Sequence, residues 1–363
     1  MNEQAPEVRA GQRIMAGFEG TGAPPSLIER VRAGRVGGVI LFQRNIESAA
    51  QTATLIASLQ DAALASPLER PLLVGIDQEG GRVSRLSPDF TTFPAARGFG
   101  DAGDPALARE AARITGTELE ATGVNMNFAP VVDILTNPEC AVIGDRAFGE
   151  SPHVVAQMGD AVAQGLQETG VAACAKHFPG IGNLGPDPHE TLPASRLTID
   201  DLRPRELLPY QHLIRRAPPA CVMAAHAVFD AIDETAPASL SPVFLQEILR
   251  GELGFRGVAF TDDLDMGAID DAADAALQSI LAGVDIALVC HSEDAQERAC
   301  DAIAEAIRDG NLPPEQEEAS SDRIRRLKES YCRPNWRAEM LEVIGCAEHR
   351  EARDKILAAL GEA

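Results

Sequence analysis

The stretch SPHVVAQMGDAVAQGLQETGVAACAKHF, residues 151–178, joins a helical pattern to a buried apolar run. Residues 151–170 are amphipathic, begin at a Ser-Pro pair and end at Gly170, which are the usual start and stop signals of a helix. Residues 171–175 are all small or apolar, as in a strand covered on both faces. The run then ends in Lys176 and His177. This unit predicts a helix that precedes a buried parallel strand with polar groups at its carboxyl end.

Apolar runs of the same kind recur along the whole chain, each bounded by Gly or Pro. They are GQRIMAG (11–17), VGGVILF (36–42), PLLVGID (71–77), GVNMNFAPVVDI (123–134), VAACAKHF (171–178), PACVMAAHAVF (219–229), GVAFTDD (257–263) and VDIALVC (284–290). Helical patterns lie between most of them, at 48–65, 104–123, 151–170, 241–254 and 271–283. Eight parallel-type strands that alternate with helices predict an α/β fold, a single (β/α)8 barrel of the TIM type.

The chain shows no linker that would divide the barrel. We therefore expect the barrel over residues 1–334 and a C-terminal helical tail over residues 335–363. The segment AEMLEVIGCAEHREARDKILAAL (338–360) predicts one or two surface helices packed on the barrel, with His349 on the surface. A chain of this length buries roughly three quarters of its unfolded surface, so it needs no disulfide or metal to fold.

The composition limits the classes of partner. The net charge is −23, from 32 basic and 55 acidic residues, and such a surface repels nucleic acid and anionic lipid. The seven cysteines form no CxxC pair, so we expect buried reduced thiols, no metal site and no cofactor. The N-terminal residues have no apolar signal core, so we expect a cytoplasmic protein, as a monomer or a weak oligomer.

Polar side chains gather at the predicted carboxyl ends of the strands, where barrels of this type carry their chemistry. They are Asp77 and Arg85 after strand three, Asp133 and Arg146 after strand four, Lys176 and His177 at strand five, and Asp262 and Asp263 at strand seven. This mixture of donors and acceptors suits a small polyhydroxylated ligand. In the loop after strand five, Asp187 and His189 lie two residues apart and could form a carboxylate–imidazole pair.

These residue types fit the cleavage of a glycoside with retention. That reaction needs a carboxylate nucleophile on one face of the anomeric carbon and a proton donor on the other. An imidazole oriented by a neighbouring carboxylate can donate the proton, because its unperturbed pKa lies near neutrality. A metal site built from His177, His189 and Asp187 is the weaker hypothesis, since their spacing matches no strong ligand signature.

Five motifs in order resemble the β-N-acetylglucosaminidases of glycoside hydrolase family 3, in particular the short bacterial enzymes of cell-wall recycling. The motifs are DQEGGRVSRL (77–86), NFAPVVDI (127–134), IGDRAF (143–148), KHFPGIGNLGPDPH (176–189) and GVAFTDDLDMGAI (257–269). The resemblance implies a single barrel in which Asp262 is the nucleophile, with Asp263 as the less favoured alternative. It implies that His189 is the acid/base and Asp187 its orienting partner. The implied substrate-binding residues are Asp77, Arg85, Arg146, Lys176 and His177.

The chain departs from the family pattern near the implied acid/base. Members usually have Pro-Gly-His-Gly-Asp where this chain has Ile181 and Asn183 at the third and fifth positions, and Ser or Thr where it has Pro188. Proline fixes its own φ and restricts Asp187 to extended conformations, which limits the motion of the loop. We expect an active enzyme that is slow or has a shifted specificity.

The resemblance implies an exo-acting retaining β-N-acetylhexosaminidase that takes a small carbohydrate substrate from cell-wall peptidoglycan. Two alternatives stay open. A glycoside phosphorylase is one, because a neutral or cationic histidine repels incoming phosphate less than a carboxylate does. A catalytically impaired sugar-binding or regulatory protein is the other, because of Ile181, Asn183 and Pro188.

Overall fold

The computed structural model describes residues 4–185, 193–266, 269–333 and 338–361, and its centre is a closed parallel barrel. The eight barrel strands, β1 to β8, are Ile14–Ala16, Gly38–Leu41, Leu73–Ile76, Met126–Asn127, Ala172–Phe178, Cys221–Ala224, Val258–Asp263 and Ile286–Val289. Each strand pairs with the next along the chain, and β1 closes the barrel against β8, with Ile14 opposite Ala287. The predicted (β/α)8 barrel is confirmed.

The barrel interior is filled by side chains rather than open. Every residue of β1 to β6 and β8 is buried, as their largely apolar sequences predict for strands covered on both faces. The polar residues buried with them are Asn127, Lys176 and His177. The rings of Phe128 and Phe260 meet edge to face inside the barrel, with centroids 5.6 Å apart. Gly75 on β3 leaves the space that the Phe128 ring occupies. This packed core supports the polar side chains at the carboxyl ends of the strands.

Helices surround the barrel, and the five predicted ones begin and end within two residues of their expected limits. They are Ala49–Leu64, Pro105–Thr122, Pro152–Glu168, Val243–Glu252 (wound as a π-helix) and Ala272–Ala282. Ser48, Asp104 and Asp271 cap three of them by accepting hydrogen bonds from the first turn. The patterns did not single out the helices Pro6–Gly11, Pro25–Arg32, Ala96–Ala102, Ile199–Leu202, Leu207–Arg216, Glu293–Asp309 and Pro314–Tyr331.

Several shorter elements complete the described chain. Single 3₁₀ turns cover Gln43–Asn45, Gly144–Arg146 and Ala238–Leu240. Outside the barrel, Ala194–Ser195 and Val228–Phe229 form a separate pair of parallel strands. No helix in the described ranges is both long and apolar enough to cross a membrane. All seven cysteines are free thiols, and all but the half-buried Cys346 are buried.

The C-terminal segment packs on the outer face of the helices Ala96–Ala102 and Pro105–Thr122. It contains a 3₁₀ helix, Ala338–Val343, and an α-helix, Ala347–Leu360. His349 is buried and lies 2.7 Å from Glu118 Oε1, so its expected place on the surface is wrong. The reason is that Glu118 is a fully buried carboxylate and needs donors.

Candidate active site

A cavity of about 500 Å³ opens at the carboxyl ends of the strands, a volume typical of small-molecule sites. Six of the predicted site residues line it: Asp77, Arg85, Arg146, Lys176, His177 and Asp262. They come from the ends of β3, β5 and β7 and from the loop after β4, so the barrel brings together residues far apart in sequence. The other two, Asp187 and His189, lie outside the described residues, as does Pro188 between them.

Glu79 joins the cationic side chains of this cavity, although the sequence analysis gave it no role. Its carboxylate accepts hydrogen bonds of 2.8 Å from both Nε and Nη2 of Arg146. The Lys176 ammonium lies 2.7 Å from the same carboxylate and 2.5 Å from Asp77 Oδ1. Burial acts to raise the pKa of Glu79, but Lys176 and Arg146 outweigh it and hold that pKa well below its usual range. Glu79 is therefore an ionised carboxylate between two cations.

The same network affects the two cations in the opposite sense. Burial acts to lower the pKa of Lys176, but the carboxylates of Asp77 and Glu79 outweigh it, and the pKa is raised. Burial also acts to lower the pKa of Arg146, but the Glu79 carboxylate outweighs this effect and the pKa is raised. Asp77 and Glu79 are separated by one residue, and that i, i+2 spacing after a strand is the sequence signal that could have identified Glu79.

His177 is held by Asp133, the residue at which the apolar run of β4 ends. The Asp133 Oδ2 atom lies 2.7 Å from His177 Nδ1, and the other ring nitrogen, Nε2, lies 3.3 Å from Arg146 Nη2. The peptide bond between Lys176 and His177 is cis, and both side chains line the cavity. The sequence placed Asp133 at a strand end without a partner, and the structure supplies that partner.

The adjacent carboxylates Asp262 and Asp263 have different surroundings. Asp263 Oδ1 accepts hydrogen bonds from the backbone amides of Asp265 (3.0 Å) and Cys290 (3.2 Å), and its Oδ2 lies 3.3 Å from His291 Nε2. Asp262 Oδ1 accepts one from the Asp263 amide at 2.9 Å, the single hydrogen bond that its carboxylate makes to the described residues. Asp263 therefore shapes the loop, whereas Asp262 keeps one oxygen without a hydrogen-bond partner among the described residues.

The electrostatic environment favours an ionised Asp262. Burial of the carboxyl group acts to raise its pKa, as for any carboxylate removed from water. His177 and His226, which contribute only when they carry a proton, the backbone amide of Asp263 and the ammonium of Lys176 outweigh this effect, so the pKa lies below its ordinary value. An anionic oxygen in the cavity is what a nucleophilic carboxylate requires.

Arg85 differs from its neighbour Arg82 in having no counter-ion among the described residues. The Arg82 guanidinium pairs with Asp145 at 2.7 Å and donates to the carbonyls of residues 141–143. The backbone amide of Arg85 donates to Gln78 Oε1 at 2.9 Å, whereas its buried Nε has no partner in the described chain. Arg85 can therefore donate to a ligand in the cavity without first breaking an ion pair.

His226 belongs to the wall behind Asp262 and Asp263. It is 4% exposed, with Nδ1 2.7 Å from Ser239 Oγ and Nε2 3.2 Å from the Asp263 carbonyl oxygen. Burial lowers its pKa, which favours a neutral imidazole with both nitrogens engaged. Within the described residues, no group of three or more His, Cys, Asp or Glu side chains is arranged to hold a metal ion.

Comparison with known proteins places the chain in a family. A model described as the glycosyl hydrolase family 3 N-terminal domain matches residues 24–327. A β-hexosaminidase of Bordetella avium is 40% identical over 318 residues, which cover 85% of each chain. β-Hexosaminidase A of Pseudoalteromonas piscicida is 37% identical over 333 residues, and the match spans 85% of this chain but only 56% of that longer protein.

Solved structures agree with these sequence matches. A glycoside hydrolase family 3 β-N-acetylglucosaminidase from Paenibacillus sp. superposes with a TM-score of 0.91 and 38% sequence identity. The superposition covers 97% of this chain and 68% of the Paenibacillus chain. The chain therefore belongs to glycosyl hydrolase family 3, the family that its five ordered motifs predicted.

Proposed function

We propose that this glycoside hydrolase is an exo-acting retaining β-N-acetylhexosaminidase that removes terminal β-linked N-acetylglucosamine from cell-wall peptidoglycan fragments. The observation that carries the proposal is the contrast between the two adjacent carboxylates. Asp262 is ionised and lines the cavity with one oxygen that no part of the described chain hydrogen-bonds, whereas Asp263 is bound to the backbone around it. The names of the relatives, β-hexosaminidases and a β-N-acetylglucosaminidase, support the choice of sugar.

In the first step, a free oxygen of Asp262 attacks the anomeric carbon while the bond to the leaving oxygen breaks. His189, oriented by Asp187, gives its proton to that oxygen, which takes the bonding electron pair. The product is a covalent glycosyl ester on Asp262 with inverted configuration. In the second step, His189 takes a proton from water as the water oxygen attacks the anomeric carbon, and Asp262 leaves as a carboxylate. Two inversions give net retention.

The sugar hydroxyls would meet a network that is already ordered. Lys176 and Arg146 are fixed by Glu79, so they lose little freedom when they donate to a ligand. Asp77 keeps part of its carboxylate exposed to the cavity and can accept from a hydroxyl, and Arg85 can donate. With His177, these residues form the proposed binding site for the non-reducing sugar.

The test is the release of nitrophenol from 4-nitrophenyl β-N-acetylglucosaminide, with the β-glucoside measured alongside. We expect turnover of the first substrate, and a loss of at least about 10³-fold in kcat for Asp262→Asn, because no nucleophile remains. The matched variant is Asp263→Asn, which removes the neighbouring carboxylate and should keep far more activity. Unchanged turnover in Asp262→Asn would refute the assignment.

Azide separates the two catalytic roles. In Asp262→Ala, azide can enter the space left by the carboxylate and should form the α-glycosyl azide. In His189→Ala, Asp262 still forms the glycosyl ester with an activated substrate, so azide should attack the opposite face and give the β-glycosyl azide. The reverse pattern of products would exchange the roles.

Two further outcomes would point to the alternative functions. Faster turnover in phosphate, with N-acetylglucosamine 1-phosphate as product, would indicate a phosphorylase. Binding of N-acetylglucosamine by the wild-type protein without any turnover would indicate a sugar-binding protein. Either outcome would replace hydrolysis as the function of this cavity.

A further inference from the structure

Asp133 connects two parts of the site although it does not line the cavity. Its side chain is completely buried. Oδ2 accepts from the His177 backbone amide at 3.2 Å and lies 2.7 Å from His177 Nδ1, while Oδ1 accepts from the Ile181 backbone amide at 2.8 Å. One carboxylate therefore holds both the end of β5 and the start of the loop that leads to Asp187 and His189.

The hydrogen bonds around His177 determine which ring nitrogen carries the proton. Arg146 can only donate, so the His177 Nε2 that faces it at 3.3 Å must accept. The proton of a neutral ring is then on Nδ1, where the Asp133 carboxylate accepts it at 2.7 Å. With this tautomer, both ring nitrogens are engaged, Nδ1–H with Asp133 and the Nε2 lone pair with Arg146, so the ring is held in one orientation at the cavity wall.

The start of the loop is held mostly through its backbone, and of the two side chains that depart from the family pattern only Asn183 adds a hydrogen bond, from Nδ2 to Ser195 Oγ at 3.0 Å. Asp133 accepts from the Ile181 amide, and Asn137 binds Gly182 and Leu184, with its amide donating to the Gly182 carbonyl (3.0 Å) and its Nδ2 to the Leu184 carbonyl (2.9 Å). These contacts do not depend on the identity of the side chain at position 181. This explains how the chain can lack the usual histidine there and keep an ordered start of the loop.

We propose that Asp133 is a positioning residue that fixes His177 in its Nδ1–H tautomer and fastens the start of the loop carrying Asp187 and His189. It acts through His177 and Ile181 and does not touch the substrate. The proposal rests on the proposed function, since it assigns a task toward the same sugar.

The Asp133→Asn variant tests both contacts, because an amide can replace only one of the two carboxylate oxygens as an acceptor. If the amide oxygen stays on Ile181, the amide NH₂ faces His177 Nδ1 and the ring proton moves to Nε2, toward Arg146. If the oxygen stays on His177, the NH₂ faces the Ile181 amide and the start of the loop is released. In either case we expect kcat/KM to fall about 10- to 100-fold, by analogy with the loss seen when the carboxylate that orients a metal-binding histidine is removed.

The tautomer is measured by ¹⁵N NMR of histidine-labelled protein, with the His177 signals assigned by their loss in His177→Gln. We expect a protonated Nδ1 and an unprotonated Nε2 for wild-type His177 at pH 7.5. We expect Asp133→Asn to show either the Nε2–H form or changed exchange of the Ile181 amide. A wild-type Nε2–H tautomer, or an Asp133→Asn variant with unchanged tautomer, amide exchange and kcat/KM, would overturn the proposal.

Asp285→Asn is the matched control. Asp285 is equally buried, at the start of β8, and accepts from Arg250 and Arg323 at 2.7 Å each, far from the cavity lining. This variant should lose stability but keep kcat/KM and the His177 signals. An equal fall of kcat/KM in both variants would show that the effect is global and would overturn the proposal. Because NMR and the binding of N-acetylglucosamine need no turnover, a failed hydrolase assay would refute the proposed function and still leave the positioning role measurable.

Discussion

Replacing Glu79 by glutamine tests how the charges of the cavity are held. In the native protein, the Glu79 carboxylate accepts two hydrogen bonds from Arg146 and forms an ion pair with Lys176. The Glu79 side chain is 6% exposed. After Glu79→Gln, the one remaining amide oxygen can still accept from Arg146 or Lys176 but carries no charge. Lys176 keeps its ion pair with Asp77, whereas Arg146 keeps only uncharged partners, the Val142 carbonyl, the new amide and His177. A largely buried guanidinium is then left without a carboxylate in ion-pair contact, and only the more distant charges of Asp133 and Asp77 act on it.

The expected cost follows from this loss. Removing one partner from a buried ion pair destabilises a protein by about 3–5 kcal/mol, because the other charge stays buried and uncompensated. For a chain of 363 residues, the usual entropy of unfolding per residue converts this cost into a fall in Tm of about 4–7 °C. Sugar binding should weaken as well, since Arg146 and Lys176 are no longer fixed toward the cavity.

The assay combines thermal unfolding at pH 7.5 with calorimetric titration of N-acetylglucosamine. Glu317→Gln is the matched control, because Glu317 is a carboxylate of similar burial that pairs with Arg9 and Arg13 away from the cavity lining. It should lower Tm by a similar amount and leave the Kd of the sugar unchanged. An unchanged Tm and Kd in Glu79→Gln, or an equal loss of binding in both variants, would refute the reasoning.

Three further predictions concern pH, the loop and the C-terminal helix. The pKa of Glu79 is lower in the folded than in the unfolded chain. The ionised carboxylate therefore stabilises the fold above an unfolded pKa of about 4.3, and this stabilisation is lost as the pH falls below that value. The Tm of Glu79→Gln should therefore fall less than the Tm of the wild type as the pH is lowered. Gly182→Ala should disturb the start of the loop and lower kcat/KM, because a Cβ there would overlap the backbone carbonyl of Ile134. Gly185→Ala should not, because an added Cβ meets no atom of the described residues within 4 Å. His349→Ala should lower the free energy of unfolding by about 1–3 kcal/mol with kcat unchanged, because it leaves Glu118 with fewer donors.

Each of these predictions has an outcome that contradicts it. If another group dominated acid unfolding, the Tm of the wild type and of Glu79→Gln would fall by the same amount as the pH is lowered. Equal activity in Gly182→Ala and Gly185→Ala would show that the start of the loop tolerates displacement. A loss of kcat in His349→Ala would indicate that the C-terminal helix affects the cavity.

The sequence alone determined the barrel and most of the polar residues that line the cavity. Eight apolar runs, each bounded by Gly or Pro, are a local property of the chain. Parallel strands covered on both faces have this pattern of continuous apolar residues, so the runs predict the barrel strands. Strand ends are equally local, so the polar residues at Asp77, Lys176 and Asp262 could be assigned to one face of the barrel before any contact was known. The five ordered motifs added the family.

The tertiary structure decided what depends on partners distant in sequence. Glu79 is separated by 67 and 97 residues from Arg146 and Lys176, and Asp133 by 44 from His177, so no local pattern shows that these charges meet. The distinction between Asp262 and Asp263 likewise depends in part on distant groups, the Cys290 backbone amide and the His291 ring just after β8, which contact Asp263. A buried charge is stable only beside its partner, and the fold alone determines which partner that is.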